Sequence, residues 1–143
     1  MRSARWLVLC ALLLLGPTGC ITWFTDPMGH KAAFDQIQRQ YTQYLRWGEI
    51  GKASAFVDPA LKEAFLAQAP VFETMRITDF EIGELEYTSD SAKVSVTYQG
   101  YSLETFVERK IREDQTWYRE GNNRWLVRSD VGGFAKVFGE ARP

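Results

Sequence analysis

The chain has 143 residues, 45% hydrophobic and 24% charged, with 17 basic residues against 18 acidic ones. A near-neutral charge of −1 argues against nucleic acid as a partner, since binding it demands a basic surface. The length suits one domain with a sizeable core.

Arg2 and Arg5 precede an unbroken apolar run from Trp6 to Leu15, and Gly16 to Gly19 are small or turn-forming. A positive segment, a short apolar core and small residues have the layout of a secretory signal. The run is about half the roughly 20 residues that a membrane span needs. Thr18-Gly19-Cys20 closes it and resembles a bacterial lipoprotein signal. That resemblance implies cleavage before Cys20 and lipid on its thiol, although Pro17 stands where an aliphatic residue is usual. Cys10 would leave with residues 1–19, so Cys20 would be the one remaining thiol, with no disulfide role. The mature chain would keep 124 residues with 15 basic and 18 acidic side chains, a charge of −3 that also disfavours anionic lipid as main partner. Residues 20–25 form a short tether, and residues 26–143 form the domain.

Asp26-Pro27 reads as a helix cap followed by Pro at the first turn. Phe34, Ile37, Tyr41, Tyr44, Leu45 and Gly48 then recur at helical spacing, with Gln36, Gln38, Arg39, Gln40, Gln43 and Arg46 on the other face. Gly51 to Val57 reads as a second helix. Asp58-Pro59 repeats the cap, and Leu61 to Gln68 reads as a third helix ended by Pro70. After Pro70 the period changes to two. Phe72 to Tyr87 is a long strand, with a bulge expected at Gly83 where the apolar parity switches. Ala92 to Tyr98 alternates cleanly and is expected to stop at Gly100. Leu103, Val107 and Ile111 carry a third strand toward Trp117, and Arg124 to Arg128 a fourth after the turn at residues 120–123. A tail begins at about residue 131, with Phe134, Val137 and Phe138 spaced for a short docking helix.

Helices first and an antiparallel meander after them make an α+β two-layer domain, with the N-terminal helices packed on a curved antiparallel sheet. At Trp47-Gly48-Glu49-Ile50, Val57-Asp58-Pro59 and Gln115-Thr116-Trp117…Gly121…Arg124-Trp125-Leu126-Val127 the chain resembles the ketosteroid isomerase-like, or nuclear transport factor 2-like, superfamily. That resemblance implies a cone with a pocket and, in its enzymes, an Asp or His base inside the cone. No such set is visible, so no catalytic residue is assigned. His30 is the lone His and reads as a surface residue; no metal site or cofactor is expected. Arg109 shares strand parity with Leu103, Val107 and Ile111, so it is expected to face the covered side, where a guanidinium needs a partner. Tyr41, Tyr44, Tyr98 and Trp117 either line the same pocket or are core. Asp58 reads as a cap.

The reading that follows is a lipid-anchored, periplasm-facing envelope protein; the lipoprotein resemblance implies the outer membrane, since Asp after the Cys marks inner-membrane retention in that family and Ile21 stands here. Its domain is then a non-catalytic binding or structural module, monomeric or weakly associated, with the membrane and an envelope protein as expected partners. The alternative is a pocket protein for a small hydrophobic or anionic ligand, or an isomerase- or cyclase-like enzyme. A cavity holding Arg109 beside an unpartnered acid would favour the alternative, and a cone filled by its own aromatics the module.

Overall fold

The computed structural model describes residues 29–121 and 124–139. The proposed signal, Cys20 and the tether therefore lie outside the described residues, as do the expected cap at Asp26 and its Pro27. Backbone contacts separate Met1–His30 from Lys31–Pro143, and the description below concerns the second unit.

Helix α1 (His30–Arg46) buries Phe34, Gln38, Tyr41, Thr42 and Leu45 on one stripe. Gly48 ends it at φ 69°, a left-handed conformation that glycine adopts without a Cβ penalty. There the Glu49 amide reaches back to the Tyr44 carbonyl at 2.8 Å, satisfying a terminal helix acceptor. Short helix α2 (Ile50–Ala53) runs into a 3-10 turn at Ser54–Phe56. Helices α3 (Lys62–Leu66) and α4 (Ala69–Glu73) follow. Pro70 lies in the first turn of α4, where its missing N–H costs nothing; it starts a helix where the sequence suggested only an end. Phe72 consequently sits in α4, and the first strand begins later than expected.

Strands β1 (Met75–Tyr87), β2 (Ser91–Ser102), β3 (Glu108–Glu120) and β4 (Arg124–Arg128) form one curved antiparallel sheet in the order β1-β2-β3-β4. The α+β class is as expected. The register of β1 against β2 slips between Ile82 and Leu85, at the expected bulge, and again between Ile77 and Asp79. At the first slip the Glu84 amide donates to the Ser95 hydroxyl at 3.1 Å, which explains why a serine is buried on the outer face. Gly100 does not break β2. It lies within the strand opposite Ile77, where a Cβ would meet the Arg76 carbonyl oxygen at 2.4 Å. The pairing needs the missing side chain there. Leu103 and Val107 belong to the loop before β3 and not to a strand; Val107 is exposed. Val57 adds a parallel bridge to Val127 at the β4 edge, and the Asp58 amide donates to the Val127 carbonyl at 3.0 Å.

Helix α5 (Gly132–Phe138) docks with Phe134 and Phe138 buried. The Phe134 ring lies 5.0 Å from Phe72 and 5.3 Å from Tyr98, so α5 joins the helical layer to the sheet. Among the described residues no helix is long and apolar enough to cross a membrane.

Candidate functional site: a buried carboxyl inside the cone

The concave sheet face is packed with its own aromatic side chains. Tyr41, Tyr98, Trp117, Phe34 and Phe134 are all less than 2% exposed. The Trp117 ring meets Phe34 and Tyr41 edge-on at 5.7 and 5.4 Å, and Phe34 packs on Trp125 at 4.7 Å. Such tilted contacts suit the ring quadrupoles and leave little free space.

Within this packing lies Glu113, 2% exposed. The alternation of β3 places it inward between Ile111 and Gln115. Its Oε1 accepts from the Tyr41 hydroxyl at 3.1 Å and from the Ser129 hydroxyl. Its Oε2 accepts from the Tyr98 hydroxyl and from Gln115 Nε2, each at 2.7 Å. Gln115 is oriented in turn, since its Oε1 accepts from Trp117 Nε1 at 3.0 Å and Gln38 Nε2 at 3.1 Å. Gln38 also donates to the Thr42 hydroxyl at 3.0 Å. The polar groups that α1 buries thus serve one network running toward Glu113.

Burial pushes the Glu113 carboxyl above its usual range, while its hydrogen bonds from Ser129, Gln115, Tyr98 and Tyr41 pull it down. Burial, and then the charge of Glu113, raises Tyr41 and Tyr98 well above the ordinary value of 10.0, so both remain donors. An ionised Glu113 satisfies all four donors. Protonation requires a hydroxyl partner to turn from donor to acceptor, and half-buried Ser129 has the most freedom to do so.

Ser129 also lines a cleft of about 450 Å³ on the outside of the cone, with Leu61, Phe65 and Val131 as apolar lining and Arg128 and Asp130 among its polar groups. Beside it Arg128 Nε donates to Asp58 Oδ2 at 2.7 Å, and its guanidinium lies 4.6 Å over the Tyr118 ring. Asp58 Oδ1 accepts from the Ala60 amide at 2.9 Å. Asp58 thus closes the turn before α3 instead of capping the helix itself, whose N-cap is Leu61 with no side-chain bond, and it doubles as an ion-pair partner for β4.

The residues singled out from sequence divide into two groups. Tyr41, Tyr98 and Trp117 converge on Glu113 and its network. Tyr44 lies outside it: its ring packs 6.1 Å from Phe56, Lys52 lies 5.7 Å over it, and its hydroxyl accepts from Gln40 at 3.0 Å. Arg109 has the inward parity but is exposed, because it lies opposite Gly100 near the start of β3, where the packed face ends. Its Nη1 donates to the Val137 carbonyl at 3.3 Å and so caps α5, which corrects the expectation of a covered guanidinium. His30 is exposed. Among the described residues no group of three His, Cys, Asp or Glu side chains is placed to hold a metal ion. Glu113, Gln115, Gln38 and Ser129 were missed. The signal for Glu113 was available, since it shares parity with Ile111 and Trp117.

No family model matches the chain, and no curated protein matches it. Among solved structures it is similar to a SEC-C motif containing protein from Rhodopseudomonas palustris, with a TM-score of 0.55 at 9% identity over 65% of this chain and 73% of that one. It is also similar to a ketosteroid isomerase-like protein from Erwinia carotovora atroseptica, with a TM-score of 0.49 at 18% identity over 66% and 88%. A candidate polyketide cyclase from Acidithiobacillus ferrooxidans gives 0.47 at 18% identity over 75% and 94%. At these identities the likeness concerns the fold alone.

Proposed function

We propose that this chain is a lipid-anchored cell-envelope protein whose cone domain is a binding or structural module, not a catalyst. The observation that carries the second half is the state of Glu113. Each of its oxygens already holds two donors, in a cone filled by Phe34, Tyr41, Tyr98 and Trp117. A general base needs a free lone pair within hydrogen-bond reach of a substrate proton. Here the lone pairs are used to hold α1, β2 and the segment after β4 together. The anchor rests on Cys20 following the apolar run Trp6 to Leu15.

A planar phenol, which imitates the enolate that enzymes of the resembled superfamily stabilise, tests the interior. Titrating 2-naphthol into the protein should give no saturable change in tryptophan fluorescence. Saturable binding that disappears in Glu113→Gln would reinstate the enzyme reading. The anchor is tested by fractionating cells that express Cys20→Ala, which should leave the membrane pellet; retention equal to the parent would refute it.

The alternative of a small-ligand protein draws support from one contact. Ser129 is at once a donor to Glu113 and a wall of the 450 Å³ cleft, so an occupant there would lie one hydroxyl away from the buried carboxyl.

A further inference from the structure

A second groove lies at the C-terminal end of α1, with none of the Glu113 network residues in its lining. It has a volume of about 440 Å³ and is lined by Leu45, Phe72, Met75 and Ile77, with Trp47, Arg46 and Arg76 also in its lining. Its size is that of a small-ligand site. Trp47 is 70% exposed, an unusual state for the largest apolar side chain.

The two arginines distinguish this groove from an ordinary surface dip. Arg46 is fixed: its guanidinium lies 5.4 Å over the Trp47 ring and 6.0 Å over the Phe80 ring, and Nη2 donates to the Thr78 carbonyl at 2.6 Å. Arg76 Nη1 donates to the Met75 carbonyl at 2.7 Å. Their acceptors are backbone carbonyls, and among the described residues neither faces a carboxylate in an ion pair, whereas Arg128 at the first cleft is neutralised by Asp58. Glu73, the one carboxylate in the lining, pairs with neither. The groove therefore joins a surplus positive charge to an apolar floor, with one of the charges held rigid. A preorganised guanidinium binds a planar oxyanion with two donors at little entropic cost.

We infer that the groove between Trp47 and Arg76 binds an organic oxyanion, a carboxylate or phosphate carried on an apolar body. The head group meets Arg46 and Arg76, and the apolar body lies on Leu45, Phe72 and Ile77 under the Trp47 indole. The inference is independent of the cone network and of the anchor.

Calorimetric titration of the whole chain with 4-phenylbutyrate and with 4-phenylbutyl phosphate tests it, and the tighter of the two identifies the head group. The neutral 4-phenylbutanol is the control. Saturable binding of at least one anion is expected, about tenfold weaker in Arg46→Gln and in Arg76→Gln, which is what losing one charge-assisted hydrogen bond produces. Trp47→Ala should weaken the anion and the alcohol together. Arg76 is exposed, so its variant keeps the fold even if that of Arg46 does not, and circular dichroism checks both. Residues 1–28 are common to all variants, so binding there cancels in the comparison. Equal affinity for the alcohol and the anions, parent-like affinity in Arg76→Gln, or no binding of either anion at millimolar concentration would overturn the inference.

Discussion

Truncating Glu113 to Ala is the sharpest perturbation of this fold. It removes the common acceptor of three fully buried donors, the Tyr41 and Tyr98 hydroxyls and Gln115 Nε2, and of the half-buried Ser129 hydroxyl. Stranding a buried donor costs about 1–3 kcal/mol. Relief of the carboxyl's own desolvation offsets part of that sum, so a net loss of roughly 3–5 kcal/mol is expected, comparable to breaking a buried charged network. A domain of this size is stable by only about 5–15 kcal/mol. Urea unfolding followed by circular dichroism and tryptophan fluorescence reads the change directly. Tyr98→Phe should cost less in the Glu113→Ala background than in the parent, because the two act as one unit. A loss below about 1 kcal/mol, or additivity of the two substitutions, would refute the claim that the network holds the cone together.

Glu113 also sets a pH dependence. Its folded carboxyl is raised above the ordinary 4.5, so the folded state binds the proton more tightly than the unfolded one. The sign follows from linkage: stability from this group is full below the unfolded value and declines as pH rises through the folded one. The difference in urea midpoint between the parent and Glu113→Gln should therefore fall with rising pH across that window; a difference that rises would contradict the raised carboxyl. Tyr41 and Tyr98 should escape alkaline titration at 295 nm, leaving two of the six tyrosines un-ionised until the protein unfolds. Asp58 behaves oppositely to Glu113. The hydrogen bonds from Arg128 and the Ala60 amide hold it below 3.8, so its contribution is present above that value and lost as pH falls through the lowered one. Asp58→Asn should flatten the acid limb of a stability profile, and an unchanged limb counts against the pair. Gly100→Ala should lower stability by about 1–3 kcal/mol, since the new Cβ meets backbone, and differential scanning calorimetry would detect a neutral outcome.

The α+β order, the four strands, the bulge near Gly83 and the docking helix at Phe134 were legible because each rests on a local rule of period or parity. The strand limits were less so. Gly100 read as a breaker, but its role is to admit the neighbouring backbone, a fact of pairing that one strand cannot announce. Pro70 read as an end because proline forbids both a helix interior and the residue before it, and the same property permits a helix start. The network was obscured for a related reason. Gln38, Thr42 and Gln115 are polar, and single-sequence patterning assigns polar residues to water. Only the strand parity of Glu113 contradicted that, and a lone buried acid reads as an error until its partners, up to 72 residues away, are seen together. Arg109 failed in the other direction, since parity says which face a residue takes and nothing about where that face ends.

The span of the Glu113 network bears on how the domain assembles. Its bonds join Tyr41 to Glu113 across 72 residues and Gln38 to Gln115 across 77, and the last donor, Ser129, follows β4. Until Ser129 arrives the carboxyl lacks one of its four donors, and until Phe134 arrives the Tyr98 and Phe72 rings lack its contact. The hairpins of the meander close locally, but this network waits for longer loops whose closing entropy must be met before its contacts repay it. Such a chain stays unfolded longer than one built from local contacts. For a protein that, on the anchored reading, must be threaded across a membrane before it takes shape, slow collapse keeps it fit for transport.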